Sequence, residues 1–387
     1  MAFFLIYSDM VFVLAPDSFK ESLTAQEACE AMENGIKEVL PQATCVPVPM
    51  ADGGEGTMRA LVAATGGTIY QQQVTAPLGN LIIGEYGILG DGKTGVVELA
   101  SASGLHLVPP EKRNPWLTTT YGTGELIKAA LAHNITKLII GIGGSATNDG
   151  GVGIAQALGV SFLDKAGLEI GRGGGALSDI QRIDLSGLIT RNTGLSVEVA
   201  CDVTNPLTGE LGASRVYGPQ KGATKSMILT LDQGLGHYAA KIKEYLGKDL
   251  IDTVGAGAAG GAGAGLLAFL DANLVKGIEL VIKHSGLEEK IKTADYIFTG
   301  EGSIDQQTAY GKTISGIVTL AQKYNKPVIA FAGKVANQEA LYQLGIIAVF
   351  GIMPGVCTLE EALKAGKRNL ENSVLAVVKL IQVSSGK

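Results

Sequence analysis

Acidic residues and lysines recur inside the glycine-rich loops of this sequence, whereas its histidines lie outside them. Carboxylates, ammonium groups and backbone N–H groups suit phosphoryl transfer, because that reaction depends on positioning and on neutralising charge. One carboxylate can orient and deprotonate an attacking hydroxyl, another can hold Mg²⁺, and lysines can neutralise a phosphate or a substrate carboxylate. The charged positions in these loops are Asp17, Lys20, Asp52, Glu55, Asp149, Asp202, Lys221, Glu301, Asp305 and Lys312.

The sequence has seven glycine-rich loops, which are concentrated where predicted strands end, and six of them contain these charged positions. Ligands of open α/β sheets bind beyond the carboxyl ends of strands, and glycine lets backbone N–H groups approach an anion closely. One such loop alone would be read as a turn, but seven together favour a binding surface. Asp202 and Asp305 are the positions that we least expect to be caps or turn formers. The loops are APDSFKES (15–22), ADGGEG (51–56), GIGGSATNDGG (141–151), DVTNPLTGELGA (202–213), GPQKGA (218–223), GAGAAGGAGAG (255–265) and TGEGSIDQQTAYGKT (299–313).

Two matches to nucleotide-binding patterns are disfavoured by their context. GILGDGKT (87–94) fits the P-loop pattern, but the strand-like GVVELA follows it where a P-loop opens a helix. Its Asp-Gly pair predicts a hairpin turn instead. GIGGSA (141–146), with Asp164 downstream, and GAGAAG (255–260) fit the dinucleotide pattern. An NAD-binding protein stays open as an alternative, although TNDGG delays the helix after the first match and a poor strand precedes the second.

The composition indicates a soluble globular protein without a nucleic-acid or membrane partner. The 387 residues include 54 glycines but only 12 prolines and no Gly-X-Y period, and 46% are hydrophobic, which excludes collagen and disorder. The 31 basic against 37 acidic residues, without a long basic run, argue against nucleic acid and anionic membranes. The uncharged stretch 253–270 is too rich in glycine and alanine for a membrane span. The 4 cysteines, without a C-x-x-C pair, predict reduced thiols and a cytoplasmic location.

Hydrophobic periodicity predicts alternating strands and helices at both ends of the chain, which is typical of a parallel, doubly wound sheet. Capping boxes mark two helix starts, at Thr24 with Glu27 and at Thr358 with Glu361. Between 67 and 99 short β runs separated by turn residues predict antiparallel pairing. The length suggests two domains. The predicted strands include 11–15, 45–50, 69–74, 81–89, 96–99, 137–142, 196–201, 296–299, 328–332 and 346–352.

The joint occurrence and order of the seven motifs resemble the class I glycerate kinases, a bacterial family that phosphorylates D-glycerate with ATP. The resemblance covers nearly the whole chain from Val11 onward. It implies an α/β fold in which a flavodoxin-like doubly wound domain is built from both chain ends and a mixed α/β domain is inserted between them. The resemblance, together with the change from parallel patterns at the chain ends to antiparallel patterns in the middle, places 1–68 and 275–387 in the first domain and 69–274 in the second.

The resemblance also implies a reaction and the groups that serve it. The 2-hydroxyl of D-glycerate would attack the γ-phosphate of ATP in line, with Mg²⁺ present, to give 2-phosphoglycerate. We expect Asp202 to orient and deprotonate the hydroxyl, and Asp305 or Asp52 to lie near the metal. Lys20 and Lys312 would neutralise phosphate or carboxylate charge, and the amides of 143–147 would bind an anion. The further binding positions are Asp17, Ser18, Gly53, Gly54, Glu55, Gly143, Gly144, Ser145, Thr147, Asn148, Asp149, Lys221, Gly257, Gly300, Glu301 and Thr308.

Two other functions stay open on the sequence alone. An NAD-dependent dehydrogenase of a small hydroxy acid would explain the dinucleotide-like matches. A non-catalytic protein that binds sugar acids would use the same loops without consuming ATP. In every case the expected partner is a small molecule, and the expected assembly is a monomer or small homo-oligomer in the cytoplasm.

Overall fold

The structure is a computed structural model that describes residues 10–304, 313–336 and 338–385. In chain order the strands are β1 (Val11–Leu14), β2 (Thr44–Pro47), β3 (Thr68–Thr75), β4 (Leu81–Ile88), β5 (Thr94–Glu98), β6 (Lys137–Gly141), β7 (Ser161–Leu163), β8 (Arg182–Asp184), β9 (Ser196–Ala200), β10 (Asn273–Val275), β11 (Tyr296–Ile304), β12 (Val328–Val335) and β13 (Ala348–Gly351). The helices are α1 (Ala25–Val39), α2 (Thr57–Thr65), α3 (Ala100–Ser103), α4 (Tyr121–Leu131), α5 (Val152–Ala157), α6 (Ala213–Tyr217), α7 (Lys225–Leu246), α8 (Ala258–Phe269), α9 (Gly277–Ser285), α10 (Leu287–Thr293), α11 (Thr313–Lys323), α12 (Gln338–Leu344), α13 (Leu359–Lys364) and α14 (Gly366–Ser385). Short 3₁₀ helices lie at Leu105–Leu107, Pro110–Lys112, Gly174–Asp179 and Pro219–Lys221.

The chain divides into two compact units. Unit 1 contains the described residues of Met1–Asp52, Ala63–Thr65 and Ile278–Lys387, and unit 2 contains Gly53–Val62 and Gly66–Gly277. The sequence-based bounds, 1–68 and 275–387 against 69–274, remain a prediction for the folding domains.

Unit 1 is built on a parallel sheet. Among its described residues, the five strands run in the order β13-β12-β11-β1-β2, and all neighbours are parallel. Numbered along this unit the order is 2-1-3-4-5, which is the flavodoxin-like order that the resemblance implied. The order reverses between β1 and β11, so a ligand site is expected beyond the carboxyl ends of these two strands.

Helices α1 and α14 cover one face of this sheet and complete its core. The predicted capping box starts α1, since the Thr24 side chain accepts from Glu27 N and the Glu27 carboxylate accepts from Thr24 N. The two helices approach closely at Gly35, where a Cβ atom would lie 2.6 Å from Glu371 O. A larger residue at this position would force the helices apart.

The last part of the chain differs from its prediction in one respect. The sequence indicates one helix from Thr358, but the structure has two, α13 and α14, which are separated at Ala365. The capping box of Thr358 and Glu361 is present at the start of α13. The break allows Gly366 to lie against Ser22, whose Oγ atom would be 2.1 Å from a Cβ atom at position 366.

Unit 2 is built on a mixed sheet. Within the described chain its six strands run in the order β10-β9-β6-β5-β4-β3, where β10, β9, β6 and β5 are parallel and β4 and β3 are antiparallel. The antiparallel pairing predicted for 67–99 is therefore confirmed. The hairpin predicted in place of a P-loop is confirmed too, because the Asp91 carboxylate accepts from Lys93 N and Thr94 N in the turn between β4 and β5.

The glycine tract of 255–265 is a packing element of unit 2. Helix α8 is interrupted near its start, where Ala259, Gly260 and Gly261 have positive φ angles. A Cβ atom on Gly260 would lie 1.9 Å from Thr147 O, and one on Gly257 would lie 2.1 Å from Pro206 O. Because only glycine permits these approaches, the tract holds two loops that follow β6 and β9.

Within the described part of the chain, no helix combines the length and apolar character that crossing a bilayer requires. The cysteines, Cys29, Cys45, Cys201 and Cys357, carry free thiols.

Candidate functional site

In unit 1, Asp17 lies where the strand order reverses. Its backbone N–H donates to Gly300 O at 2.9 Å, which places it beside the carboxyl-terminal half of β11. Its Oδ2 accepts from Thr313 Oγ1 at 2.6 Å, and its Oδ1 accepts from Ser18 N at 2.6 Å. Burial raises the pKa of Asp17 above its ordinary value, although the hydrogen bond from Thr313 acts in the opposite direction. A half-buried carboxylate is thus fixed at the expected ligand site.

The sequence analysis missed Thr313 as a member of this cluster. Thr313 is fully buried and is the first residue of α11. The signal available in the sequence was a Gly-Lys-Thr run directly before a predicted helix. Its partner Asp17 is distant in sequence, so only the fold brings the hydroxyl and the carboxylate together.

A magnesium ion fits the carboxylates of this unit. The negative charge of Asp52 raises the pKa of Asp17, so the two carboxylates share one electrostatic environment. The described residues contain no cluster of three or more histidine, cysteine or acidic side chains that could enclose a metal ion. Mg²⁺ needs no such enclosure, because one or two carboxylates together with substrate phosphates hold it in phosphoryl-transfer sites.

The remaining positions predicted in unit 1 fall into two groups. Ser18 and Gly300 adjoin Asp17, whereas Lys20 is exposed and Glu301 is half-buried. Asp305, Thr308 and Lys312 lie outside the described residues.

In unit 2, the last residues of the parallel strands β5, β6 and β9 lie side by side and form a strand-end row. Glu98 is paired in register with Gly141, and Gly141 with Ala200. The glycines of the ADGGEG loop lie against this row. Gly53 has a φ of +94°, and a Cβ atom there would lie 2.9 Å from Ala200 Cβ. The structure therefore brings Gly53, Gly54 and the GIGG segment together at this edge of the sheet.

Asp202 follows β9 at the same edge. Its side chain is exposed, and its Oδ1 accepts from Gly277 N at 2.9 Å. That hydrogen bond fixes the carboxylate by one oxygen. An exposed carboxylate held at a strand end has the geometry expected of a group that meets a substrate, which is the role predicted for Asp202.

Glu98 is a second carboxylate of this edge that the sequence analysis missed. Its Oε1 accepts from Met58 N at 2.8 Å, near the start of α2. Burial raises the pKa of Glu98, while hydrogen bonds from the N–H groups of Met58 and Gly56 act against this. The sequence shows only a single acid in the apolar run VVELA. The hydrogen bonds that Glu98 accepts fix the ADGGEG loop, which also contains Glu55.

The GIGGSATNDGG loop is exposed only at two glycines. Gly143 and Gly144 are exposed, whereas 145–151 are buried. Asp149 lies at the base, where it accepts from Thr120 N at 2.7 Å and from Thr120 Oγ1 at 2.9 Å. It also accepts from Gly151 N at 3.2 Å. This geometry favours a scaffold role for Asp149, and its predicted contact with a ligand remains a prediction.

The buried side chain of Lys221 is hydrogen-bonded to the same loop. Its side chain is 2% exposed, and Nζ donates to Ser145 Oγ and to Thr147 O at 2.7 Å each. Burial lowers its pKa from 10.5 to about 7, although the negative charge of Asp149 acts in the opposite direction. Lys221 thus holds the segment that carries the exposed glycines.

Two buried polar atoms of this loop are unsatisfied. Among the described residues, Thr147 Oγ1 and Asn148 Oδ1 have no hydrogen-bond partner. The Asn148 amide does donate to Ser214 Oγ at 2.9 Å. Unpaired buried acceptors and hydroxyls cost about 1–3 kcal/mol each, and such costs concentrate at functional segments. Gly257, another predicted binding position, packs against the backbone at Pro206.

We expect the free energy of unfolding of unit 2 to rise with pH more steeply in the native protein than in a Lys221→Met variant. Between about pH 7 and pH 10.5 the unfolded chain binds a proton at Lys221 that the folded chain does not, so stability increases with pH in this window. The difference in slope approaches about 1.4 kcal/mol per pH unit. Urea titrations followed by the fluorescence of Trp116, which lies in unit 2, measure it.

Lys165→Met is the matched control for this measurement. The Lys165 side chain is exposed in a turn of unit 2, so its removal should leave the pH dependence of unfolding unchanged. Parallel pH curves for the native protein and Lys221→Met would show that Lys221 keeps its proton on folding.

Comparison with protein families and known proteins gives one consistent result. The model of the glycerate kinase family matches residues 12–382. Glycerate kinase from Bacillus subtilis (strain 168) is 52% identical over 376 residues, which cover 97% of this chain and 98% of that protein. Glycerate 2-kinase from Escherichia coli (strain K12) is 52% identical over 362 residues, which cover 93% of this chain and 95% of that protein.

Comparison with solved structures agrees. A crystal structure of a Salmonella typhimurium LT2 protein assigned as glycerate kinase 2 superposes with a TM-score of 0.91 at 48% sequence identity. The match covers 98% of this chain and 100% of that one. Likeness at this level supports the α/β fold described above.

Proposed function

The chain belongs to the glycerate kinase family, and from this premise we propose that it transfers the γ-phosphate of ATP to the 2-hydroxyl of D-glycerate. The observation that carries the proposal is the position of Asp202, an exposed carboxylate at a strand end beside the glycine-rich loops of unit 2. The name of the Escherichia coli relative supports phosphorylation at the 2-position. The products would be 2-phosphoglycerate and ADP.

In the proposed reaction Asp202 accepts the proton of the attacking hydroxyl. The hydroxyl oxygen forms a bond to the γ-phosphorus while the bond from this phosphorus to the β,γ-bridging oxygen breaks, so ADP leaves with that oxygen. The hydrogen bond from Gly277 N to Oδ1 orients the Asp202 carboxylate, which takes the proton in this proposal. Asp202 therefore acts as an oriented general base.

The other predicted residues bind and neutralise charge in this proposal. Asp17 and Asp52 would hold Mg²⁺, which when bound neutralises charge on the phosphate oxygens. The exposed amides of Gly143 and Gly144 bind an anionic oxygen, and Lys20 contributes a positive charge. Asp305, Lys312 and Thr308 keep the roles predicted for them from the sequence.

Location and assembly complete the proposal. We place the enzyme in the cytoplasm, where free thiols such as those found here persist. A monomer or small homo-oligomer is the assembly we propose.

We expect ADP release that requires D-glycerate and does not occur without an acceptor or with L-glycerate. A coupled assay measures the ADP, and phosphorus NMR of the product shows whether carbon 2 carries the phosphate. Absence of ADP with every acceptor would contradict the kinase proposal. Reduction of NAD by glycerate would instead indicate a dehydrogenase, and glycerate binding without ATP consumption would indicate a binding protein.

A further inference from the structure

A pocket of unit 1 lies beyond the carboxyl ends of its strands. Its volume is about 440 Å³, which falls in the range of small-molecule sites. Phe19 and Lys20, which follow β1, form one side. Ile352, Met353 and the segment that leads into α13 form the other.

Two glycines form the base of this pocket. A Cβ atom on Gly333 would lie 2.7 Å from Gly302 O, and one on Gly302 would lie 3.1 Å from Lys20 N. Side chains at these positions would push the turn at Lys20 away from β11 and β12. Glycine at both positions thus allows these backbone segments to approach closely at the pocket.

The walls of the pocket are tied together. Ser22 Oγ donates to Leu363 O at 2.7 Å, which joins the turn after β1 to α13. The capping box of Thr358 and Glu361 fixes the start of α13. These contacts hold the two walls of the pocket together, and Val356 and Leu359 on its rim are 108% and 73% exposed.

The charges around the pocket are of one sign. Among the described residues that line it, the charged side chains are Lys20 and Lys334, and neither of them forms an ion pair with a described residue. An occupant that complements these walls has an apolar part and an anionic part. Glycerate has no apolar surface of this size, whereas a nucleotide has both parts.

We propose that this pocket binds the adenine and ribose of ATP, and that Lys20 and Lys334 bind its phosphates. The inference rests on the proposed function, because that function requires a nucleotide. The inference assigns the adenine of ATP to unit 1, beside the point where ligands of flavodoxin-like sheets bind. The apolar walls supply contact area, and the two lysines supply charge complementarity.

A side chain that fills the pocket should weaken nucleotide binding. Ala362 lines the pocket on α13, and a phenylalanine there would occupy the space assigned to the base. We expect the Kd for MgADP, measured by calorimetry without glycerate, to rise about tenfold or more in Ala362→Phe. The KM for D-glycerate at saturating ATP should stay unchanged. Leu380→Phe, on the exposed side of α14 in the same unit, is the matched control and should bind MgADP normally.

The exposed thiol of Cys357 gives a second readout that needs no substitution. Cys357 lines the pocket, whereas Cys29 is buried and serves as an internal reference. We expect saturating MgADP to slow iodoacetamide labelling of Cys357 severalfold, as followed by peptide mass spectrometry, and D-glycerate alone to leave it unchanged.

The outcomes separate this inference from the proposed function. Normal MgADP affinity in Ala362→Phe, with Cys357 labelled equally fast in the presence of MgADP, would overturn the pocket assignment while glycerate phosphorylation stands. Absence of both MgADP binding and ADP formation in the native protein would overturn the proposed function itself.

Discussion

Replacement of Asp202 by asparagine is expected to lower kcat about 100-fold or more, because an amide cannot accept the proton of the attacking hydroxyl. The side-chain oxygen of asparagine can still accept from Gly277 N, so the local fold should persist. The KM for ATP should change little. Steady-state assays of ADP formation measure kcat.

Asp252→Asn is the control for this prediction. Asp252 is exposed in the same unit and lies outside the strand-end row, so its replacement should leave kcat unchanged. The unfolding midpoint of Asp202→Asn, followed by Trp116 fluorescence, shows whether the variant is folded. Near-normal turnover by a folded Asp202→Asn enzyme would remove Asp202 from the proton transfer.

Replacement of Asp149 by alanine is expected to lower the free energy of unfolding of unit 2 by about 3 kcal/mol or more. The substitution leaves buried donors at Thr120 and Gly151 without an acceptor, and each unsatisfied group costs about 1–3 kcal/mol. It also removes the negative charge that stabilises the protonated form of Lys221. Urea unfolding followed by Trp116 fluorescence measures the loss.

Asp164→Ala provides the comparison for Asp149→Ala. Asp164 also accepts from backbone N–H groups, at Ala166 and Leu168, but in an exposed turn where water replaces the lost bonds. We expect this variant to lose less than about 1 kcal/mol. Equal losses in the two variants would mean that the buried carboxylate of Asp149 contributes no more to the free energy of unfolding than a carboxylate in an exposed turn.

Local features were predicted well from the sequence. The capping boxes at Thr24 and Thr358 are present, because their hydrogen bonds join residues three positions apart. The turn at Asp91 was recognised for the same reason and separated a hairpin from an apparent P-loop. The alternation of strands and helices at the chain ends predicted the parallel sheet of unit 1.

Roles that depend on distant partners were not predicted. Glu98 looked like one acid in an apolar run, yet it binds the start of α2 through Met58. Asp149 and Lys221 were grouped with possible ligand contacts, and the structure buries both. Their contact with a ligand stays a prediction. Gly257 was grouped with binding residues too, but it packs on the backbone at Pro206.

The sequence by itself determined the family, the alternation of elements and the loops in which chemistry is to be sought, because these depend on residue type and short spacing. Tertiary structure alone decided which charged side chain of a loop is exposed and which is buried. That distinction depends on contacts between segments far apart in the chain, such as Asp149 with Thr120 and Asp17 with Thr313. A carboxylate surrounded by backbone donors stabilises a loop, whereas one left exposed at a strand end, as Asp202 is, can meet a substrate.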